Sequence, residues 1–383
     1  MCGISAIIAN GNGVLSTTDI EHAVRSIQRR GPDESRMVLA KNGTVRFDFH
    51  RLAINGAMGD PLSMQPFETI GHWIVACNGE IYNWRELASE YDLNIQGGSD
   101  CEVIGHLLEA GIPVHAMVGM LDGVFAFAAY NKRTEEFVAA RDPFGVRSLF
   151  IGTNHAATAT VRLCVASELK CVASMGCTHI SPFPPGKVFA YNSVRDTEVW
   201  TRHHVELKPG FFPYFQHMDV SQLAEMVREE LTKSVRRRMM TDRNAPIGCF
   251  LSGGLDSSLI ASLVVRETVR SGGSPADIYT FSIGQPEATD MVFAKEVASF
   301  LGTTHHEVFV SEERETISTR RRETKTEPSM RRNTEPTVKP RIPYFLLCLG
   351  LNGQTLDGEL NGAALMGCCA SSNPENDCAP TAL

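Results

Sequence analysis

Removal of Met1 would leave Cys2 at the amino terminus, where a thiol and an α-amine then belong to the same residue. A thiol has an ordinary pKa of about 8.5 and an α-amine one of about 8, so the two groups can exchange a proton near neutral pH. One residue would then supply both nucleophile and base without a histidine partner. By itself, the position also fits a small residue that opens a buried strand, because Ile4, Ile7 and Ile8 follow it.

Side chains suited to binding both ends of an amino acid follow further along the chain. Arg51 offers a planar fork that matches a carboxylate, and Asp100, at the start of a predicted helix, could pair with an ammonium group. Directly after a predicted strand, Asn78, Gly79 and Glu80 add a side-chain amide, an unhindered backbone N–H and a second carboxylate. Each signal is weak alone, since Asn-Gly is usually just a turn. Their combination and order indicate a site that breaks an amino-acid amide.

A second group of residues, Leu251 to Ser258 in the order Leu-Ser-Gly-Gly-Leu-Asp-Ser-Ser, lies between a predicted strand and a predicted helix. Glycines at such a turn let backbone N–H groups approach an anion, and the amino end of the following helix adds partial positive charge. The lysine of the kinase and GTPase phosphate loop is absent. The run therefore indicates a phosphate cradle, with a plain strand-to-helix connection as the alternative.

Residues 2–191 read as short apolar strands with two evident helices. One helix is predicted from Thr18 to Arg29, and another from Ser99, whose hydroxyl would cap the first turn while Glu102 reaches back to it. The clearest strands are Trp73 to Cys77, Val124 to Tyr130 and Glu136 to Arg141. Strand layers with helices segregated from them predict an α+β sandwich.

Residues 218–312 show a different pattern, in which strands alternate with helices. A long helix is predicted from Val220 to Met239. The elements after it are a strand (Ile247 to Leu251), a helix (Ser258 to Thr268), a strand (Tyr279 to Ile283), a helix (Met291 to Phe300) and a strand (His306 to Val310). This alternation predicts a parallel α/β sheet. Residues 192–217 are predicted as a linker, and residues 313–383 as a divergent, disordered tail.

The 383-residue chain has a net charge of −8 and 43% hydrophobic residues, which is typical of a soluble globular protein. The acidic balance argues against nucleic acid as a partner, because phosphate backbones are bound by clustered lysine and arginine. No leader-like stretch opens the chain and no apolar run could span a bilayer, so a cytoplasmic protein with no membrane partner is expected. The 11 cysteines include no Cys-x-x-Cys pair, which predicts neither a disulfide framework nor a structural zinc site.

Several short runs in residues 2–191 resemble the class II, N-terminal-nucleophile glutamine amidotransferase domain. The runs are Met1 to Ile4, Arg30 to Asp33, Arg51-Leu52, Cys77 to Asn83, Gly98 to Glu102 and Arg141 to Gly145. The resemblance implies an αββα sandwich in which Cys2 attacks the glutamine side-chain amide while its own α-amine carries the proton. It further implies that Asn78 and the Gly79 N–H hold the oxyanion. The implied glutamine-binding residues are Arg51, Asn78, Gly79, Glu80 and Asp100.

The Leu251 to Ser258 run resembles the pyrophosphate loop of ATP pyrophosphatases, whose fold is adenine nucleotide α-hydrolase-like. Behind an amidotransferase domain, it resembles the asparagine synthetase (glutamine-hydrolysing) family, ligases that use glutamine, aspartate and ATP with Mg²⁺ and no bound organic cofactor. The resemblance implies that ammonia attacks adenylated aspartate, that Asp256 lies near the magnesium pyrophosphate, and that a homodimer can form. The implied ATP-binding residues are Leu251, Ser252, Gly253, Gly254, Asp256, Ser257, Ser258 and Ile283.

The resemblance is expected to end near Glu312, so residues 218–312 read as an incomplete synthetase domain. The family has a second loop, Ser-Gly-Glu-Gly-Ala-Asp-Glu, and a later lysine. The nearest run here, Leu356 to Leu360, lacks the Ser-Gly entry and the second acid. The leading hypothesis is glutamine-dependent asparagine synthesis, with hydrolysis expected to outpace a weak or absent synthetic step. The alternatives are a glutaminase with a vestigial synthetase domain and a non-catalytic partner of an intact subunit.

Overall fold

The computed structural model describes residues 1–11, 13, 15, 18–56, 58–68, 70–156, 158–203, 218–240, 246–285, 287–310 and 344–346. The chain divides into two compact units, residues 1–230 with 240–243 and residues 231–239 with 244–383. One long helix, Val220–Arg238, contributes residues to both units. Within the described ranges, no helix is both long enough and apolar enough to cross a membrane.

The first unit is built on two antiparallel sheets. In chain order its strands are β1 (Gly3–Ala9), β2 (Glu34–Ala40), β3 (Val45–Arg51), β4 (Trp73–Ile81), β5 (Gly123–Asn131), β6 (Glu136–Arg141), β7 (Phe150–Thr153), β8 (Val161–Ala166), β9 (His179–Pro182), β10 (Lys187–Asn192) and β11 (Thr197–Arg202). The spatial order is β2-β3-β1-β8-β7-β9 in one sheet and β11-β10-β6-β5-β4 in the other. The helices are α1 (Thr18–Arg25), α2 (Trp84–Glu90), α3 (Glu102–Glu109), α4 (Val114–Met120) and α5 (Leu169–Ala173).

Alternate residues of each strand face opposite layers, and this alternation produces four layers. Ile4 and Ile8 of β1 pack between the sheets with Phe47 of β3 and with inward-facing residues of β4 and β5. Ile7 faces the other way and packs with residues of α1 and α5. On the second sheet, Val75 of β4 packs with the buried faces of α3 and α4. The predicted αββα sandwich is confirmed.

The helix predicted to start at Ser99 begins later. α3 starts at Glu102 and has no side-chain cap, so the predicted reciprocal capping by Ser99 is wrong. Glu102 instead accepts hydrogen bonds from the backbone N–H groups of Gln96 (3.0 Å) and Gly97 (2.8 Å). The physical reason is the left-handed conformation of Gly98, φ +68°, which turns the chain so that these two donors face the carboxylate.

Two further boundaries in the first unit differ from the sequence pattern. α1 ends at Arg25 and is followed by a separate 3-10 turn, Gln28–Arg30, because Ile27 leaves the helical conformation while its side chain stays buried. β11 pairs with β10 along its whole length, so the first part of the predicted linker, residues 192–217, is the edge strand of a sheet. Residues 204–217 lie outside the described ranges.

The second unit is built on a four-stranded sheet in which each pair of neighbours is parallel. Its strands are β12 (Ile247–Phe250), β13 (Ile278–Gly284), β14 (Thr304–Phe309) and β15 (Tyr344–Leu346), in the spatial order β14-β13-β12-β15. Its helices are α6 (Val220–Arg238), α7 (Leu255–Arg270) and α8 (Thr289–Leu301). The predicted parallel α/β sheet is confirmed. The tail predicted as disordered, residues 313–383, lies outside the described residues except for β15.

The turn between β12 and α7 passes close to α8. Gly253 adopts φ +78°, and a Cβ at this position would lie 2.6 Å from the Ala294 nitrogen and 2.7 Å from the Phe293 Cβ. The backbone conformation and the lack of space both require glycine here.

Replacing Gly253 with alanine should therefore destabilise the second unit more than a conformational penalty alone would. Gly272→Ala is the matched control, because Gly272 has φ +87° with nothing within 4 Å of the added Cβ. We expect the control to cost about 1 kcal/mol and Gly253→Ala a further ~1–3 kcal/mol for the steric conflict. Urea unfolding followed by circular dichroism measures both, and equal losses would contradict the close approach.

Candidate functional site

The first strand places Cys2 against the end of β3. Gly3 pairs with His50, so the thiol lies beside the residue that follows β3, Leu52. The Leu52 N–H donates to Cys2 Sγ at 3.4 Å, and Sγ lies 3.6 Å from the Leu52 carbonyl oxygen. Burial raises the pKa of the Cys2 thiol, whereas the amino-terminal charge, the Leu52 hydrogen bond and the charge of Arg147 lower it.

The amino terminus itself is enclosed by cationic side chains. Burial lowers the pKa of the Met1 α-amine to about 5; Cys2 and Glu80 act in the opposite direction, and Arg147 and Arg30 lower it further. Arg30 Nε donates to the Cys2 carbonyl oxygen at 3.0 Å, which ties the terminus to the turn after α1. An amine with this pKa is neutral near pH 7, and in this structure it belongs to Met1, one residue before Cys2.

The end of β4 carries the predicted Asn-Gly-Glu run. The Asn78 side chain is 1% exposed, and its Nδ2 has no hydrogen-bond partner among the residues that the structure describes. A buried amide without an acceptor is unfavourable, so such a donor is typical of a place that a ligand completes. At Gly79, a Cβ would come within 2.6 Å of the Val124 carbonyl oxygen and 2.8 Å of Phe125 Cα, so the strand pairing requires glycine.

Two carboxylates, Glu80 of this run and Asp100, are close enough to interact electrostatically. Glu80 Oε1 accepts from Arg147 Nη2 at 2.9 Å. Asp100 Oδ2 accepts from the Ile81 N–H at 2.7 Å and Oδ1 from Asn55 Nδ2 at 3.2 Å. Burial raises the pKa of Asp100 to about 6, and the charge of Glu80 adds to the rise, while the two hydrogen bonds oppose it. Neighbouring acids of this kind favour a bound cation.

Arg51 is buried and engaged within the first unit. Its Nη1 pairs with Glu34 Oε2 at 2.7 Å, and its Nη2 donates to the carbonyl oxygens of Asn55 (3.1 Å) and Gly56 (2.9 Å). Asn55 in turn contacts Asp100, so Arg51 belongs to the same connected set of residues. In this structure, both terminal nitrogens of the Arg51 guanidinium already bind protein oxygen atoms.

The structure thus brings Cys2, Arg51, Asn78, Gly79, Glu80 and Asp100 to one end of the sandwich. Sequence reasoning assigned no role to several residues that hold this set in place: Arg30, Glu34, Leu52, Asn55 and Arg147. The signal available for two of them was position, because Arg30 opens the Arg-Gly-Pro-Asp run and Arg147 follows the Asp-Pro-Phe-Gly run by two residues.

The predicted phosphate cradle lies in the second unit, at the carboxyl end of β12. The Leu251 N–H donates to the Phe281 carbonyl at 2.8 Å and extends the pairing of β12 with β13. Ser252 Oγ and Ser257 Oγ are 3.0 Å apart, and Ser258 Oγ donates to the Gly254 carbonyl at 2.7 Å. These bonds hold the turn against the first turn of α7, where anions are favoured by the helix dipole.

The remaining predicted ATP-binding residues lie around this turn. Leu251 is buried, and Ile283 lies near the carboxyl end of the neighbouring strand, β13. Asp256 is exposed in the first turn of α7. The part of the chain that the structure describes contains no cluster of three or more His, Cys, Asp or Glu side chains able to hold a metal ion. A single carboxylate fits a Mg²⁺ held mainly by phosphate oxygens and water.

Two family models match this chain. One, described as a glutamine amidotransferase domain, matches residues 1–224, and the other, described as asparagine synthase, matches residues 226–328. The second match continues beyond residue 312, where the resemblance was expected to end.

Relatives with the same combination are also found. The chain is 34% identical over 336 residues to asparagine synthetase (glutamine-hydrolyzing) 1 of Saccharomyces cerevisiae, covering 80% of this chain and 55% of that protein. It is 33% identical over 333 residues to asparagine synthetase (glutamine-hydrolyzing) of Cricetulus griseus, covering 82% and 57%. The chain therefore spans about half the length of the curated relatives it matches.

Among solved structures, glutamine phosphoribosylpyrophosphate amidotransferase from B. subtilis aligns with a TM-score of 0.44 at 20% identity, over 71% of this chain and 65% of that chain. The family assignment depends on the first family model, which covers more than half of the 383 residues. The protein belongs to the glutamine amidotransferase domain family.

Proposed function

We propose that the chain hydrolyses glutamine at Cys2 and uses the ammonia for ATP-dependent synthesis of asparagine from aspartate. The observation that carries the first step is the buried Asn78 Nδ2, which has no partner among the described residues and belongs to the same end of the sandwich as the Cys2 thiol. The second step is supported by the asparagine synthase match over residues 226–328 and by the names of the relatives.

In the proposed hydrolysis, loss of Met1 places the α-amine on Cys2. The neutral amine takes the thiol proton as sulfur bonds to the amide carbon, and Asn78 Nδ2 and the Gly79 N–H donate to the resulting oxyanion. In comparable sites such a donor is worth about 3 kcal/mol. The C–N bond then breaks, ammonia leaves with the proton from the amine, and water hydrolyses the thioester to glutamate.

The substrate's two ends have matching groups at the site. Its ammonium would bind between the carboxylates of Glu80 and Asp100. Its carboxylate would bind Arg51, which would exchange bonds to the backbone carbonyls of Asn55 and Gly56 for it. Desolvated charge pairs of this kind are both tight and specific for an amino acid.

The proposed synthetic step uses the turn after β12. Ser252, Gly253 and Gly254 would bind the pyrophosphate portion of ATP with backbone and hydroxyl donors, and Leu251 and Ile283 would contact the nucleoside. Asp256 would hold Mg²⁺, which when bound neutralises phosphate charge. The aspartate side-chain carboxylate attacks the α-phosphorus and releases pyrophosphate, and ammonia then displaces AMP to form the amide. The backbone N–H donors of the turn would stabilise the negative charge of the pyrophosphate as it leaves.

Replacing Cys2 with alanine should reduce glutamate formation from glutamine to the background rate, because the nucleophile is lost. Cys177→Ala is the matched control, a partly buried cysteine that packs with α1 and α5 on the outer face of the sheet containing β1, and should retain full activity. Intact mass of each preparation reports whether Met1 has been removed. Normal ammonia release from material that keeps Met1 would refute the amine as base.

The fall of kcat/KM for glutamine at low pH should follow protonation of the Asp100 carboxylate. Burial raises the pKa of this carboxylate to about 6, so it loses its charge, and its attraction for ammonium, as the pH falls through that value. We expect kcat/KM to fall about tenfold per pH unit below this point. Asp100→Asn should flatten this fall and raise KM on the order of 10- to 100-fold. An unchanged fall in the variant would exclude Asp100 as the titrating group.

Synthesis is tested by supplying glutamine, aspartate and ATP with Mg²⁺ and measuring glutamate, pyrophosphate and asparagine separately. Asp256→Asn should lower pyrophosphate and asparagine together on the order of tenfold or more while glutamate formation continues, because the acid is proposed only at the ATP site. Glu296→Gln, at an exposed position of α8, is the control for charge loss in the same unit. Glutamate without any asparagine from the unmodified chain would refute the synthetic step and leave hydrolysis standing.

A further inference from the structure

The loop that follows β6 is bonded more densely than a tight turn requires. Asp142 is buried at 1% exposure, and its Oδ1 accepts from the N–H groups of Phe144 (3.1 Å) and Val146 (3.0 Å). Its Oδ2 accepts from the N–H of Arg147 at 3.1 Å. One carboxylate therefore fixes the backbone through to Arg147, since each bond restrains a different peptide of the loop.

A second side chain binds the other edge of the same loop. Arg141 donates to the carbonyl oxygens of Gly145 (2.6 Å), Arg147 (2.7 Å) and Phe183 (2.8 Å). The Arg147 N–H therefore donates to the Asp142 carboxylate, and the Arg147 carbonyl oxygen accepts from the Arg141 guanidinium. This arrangement fixes the backbone from which the Arg147 side chain extends, and such preorganisation is what a functional group needs.

The Arg147 side chain points towards the glutamine site. The residue is 6% exposed, and Nη2 is 2.9 Å from Glu80 Oε1. Its Nε is buried and has no hydrogen-bond partner among the described residues. A buried guanidinium that is incompletely paired costs stability, so its retention here favours a role in function.

Arg147 also lies near the start of β1, because its neighbour Ser148 donates to the Ser167 carbonyl at 2.8 Å and the Ile4 N–H donates to Ser167 Oγ at 3.0 Å. The pKa of the Cys2 thiol is raised by burial and lowered by Arg147, and that of the Met1 α-amine is lowered by burial and again by Arg147. The effect on Cys2 favours its thiolate form, because a positive charge stabilises the thiolate.

We propose that Arg147 is a positioning residue for the site around Cys2: it fixes the Glu80 carboxylate for the substrate ammonium and provides positive charge beside the nucleophile. The Asp-Pro-Phe-Gly loop holds the Arg147 backbone in place through Asp142 and Arg141. The Glu80 half of this inference depends on the proposed glutamine hydrolysis. The half that concerns Cys2 does not, because it can be measured on the thiol alone.

Arg162 provides a matched control. It is buried to a similar degree, at 7% exposure, pairs with Asp196 and Glu198, and has an Nη1 without a partner in the described ranges. β8 runs antiparallel to β1, so Arg162 lies near Ala9, at the opposite end of β1 from Cys2. At about 3.3 Å per residue the separation along the strand is roughly 20 Å.

The experiment compares Arg147→Gln, Arg147→Lys and Arg162→Gln. We expect Arg147→Gln to raise KM for glutamine on the order of 10- to 100-fold and to move the pH midpoint of Cys2 alkylation by iodoacetamide, followed by mass spectrometry, to higher pH. Arg147→Lys keeps the charge without the fork, so it should restore the alkylation midpoint but not KM. Arg162→Gln should lower Tm and leave KM and the midpoint unchanged.

If Arg147→Gln lowers Tm but leaves both KM and the alkylation midpoint unchanged, the inference is overturned, because the role of Arg147 would then be structural only. If that variant does not fold, Arg147→Lys and Glu80→Gln decide instead. The double variant with Arg147→Lys and Glu80→Gln should raise KM no further than Glu80→Gln alone, because Arg147 would act through Glu80. If the two substitutions raise KM independently, so that their effects multiply, the inference is contradicted. If the unmodified chain makes no glutamate, the proposed function fails, and the alkylation midpoint still tests Arg147.

Discussion

The central position of β1 in its sheet is the constraint on which the first unit depends. β1 pairs with β3 on one side and β8 on the other, so the partly buried residues before it start from an interior strand. They are carried to the end of the sandwich, where Arg30 binds the Cys2 carbonyl and Leu52 contacts the thiol. Burial there lowers the pKa of the terminal amine and raises that of the thiol. The same desolvation therefore favours the neutral form of both groups at this end of the sandwich.

The polar groups around Cys2 show a balance between stability and chemistry. The Asn78 amide and the Arg147 Nε are buried without partners among the described residues, and each such group costs free energy of folding. The surrounding hydrogen bonds, from Asp142, Arg141 and Asn55, hold neighbouring groups in place instead of satisfying these two. Buried donors without partners are what the proposed oxyanion and substrate contacts would use.

The proposed anion site of the second unit is built differently. Its strands are parallel, so the carboxyl ends of β12 and β13 lie at the same edge of the sheet. A turn at that edge leads directly into the amino end of α7, and Gly253 lets it pass within van der Waals distance of α8. The proposed anion contacts therefore use backbone geometry and a helix dipole. The proposed glutamine contacts of the first unit use side chains drawn from many segments.

Much of this architecture could be predicted from local patterns. The short apolar strands β4, β5 and β6, with helices segregated from them, indicated the sandwich, and the alternation of strands with helices after residue 218 indicated the parallel sheet. The residue types at Cys2, at Asn78 to Glu80 and at Asp100 could be interpreted without coordinates, because the chemistry of an amide substrate calls for few alternatives. The start of α3 was not predictable, since Glu102 found backbone donors through the turn at Gly98.

The sequence by itself determined which groups are available and which layers they occupy. Only the tertiary structure decided which of them meet: Arg147 pairs with Glu80 across 67 positions, Arg51 is held by Glu34, and Asp100 bonds to Ile81. Such pairs depend on strand register and on the packing of one sheet against another. These are non-local properties, because each is set by the sum of many contacts and no short run of residues encodes it.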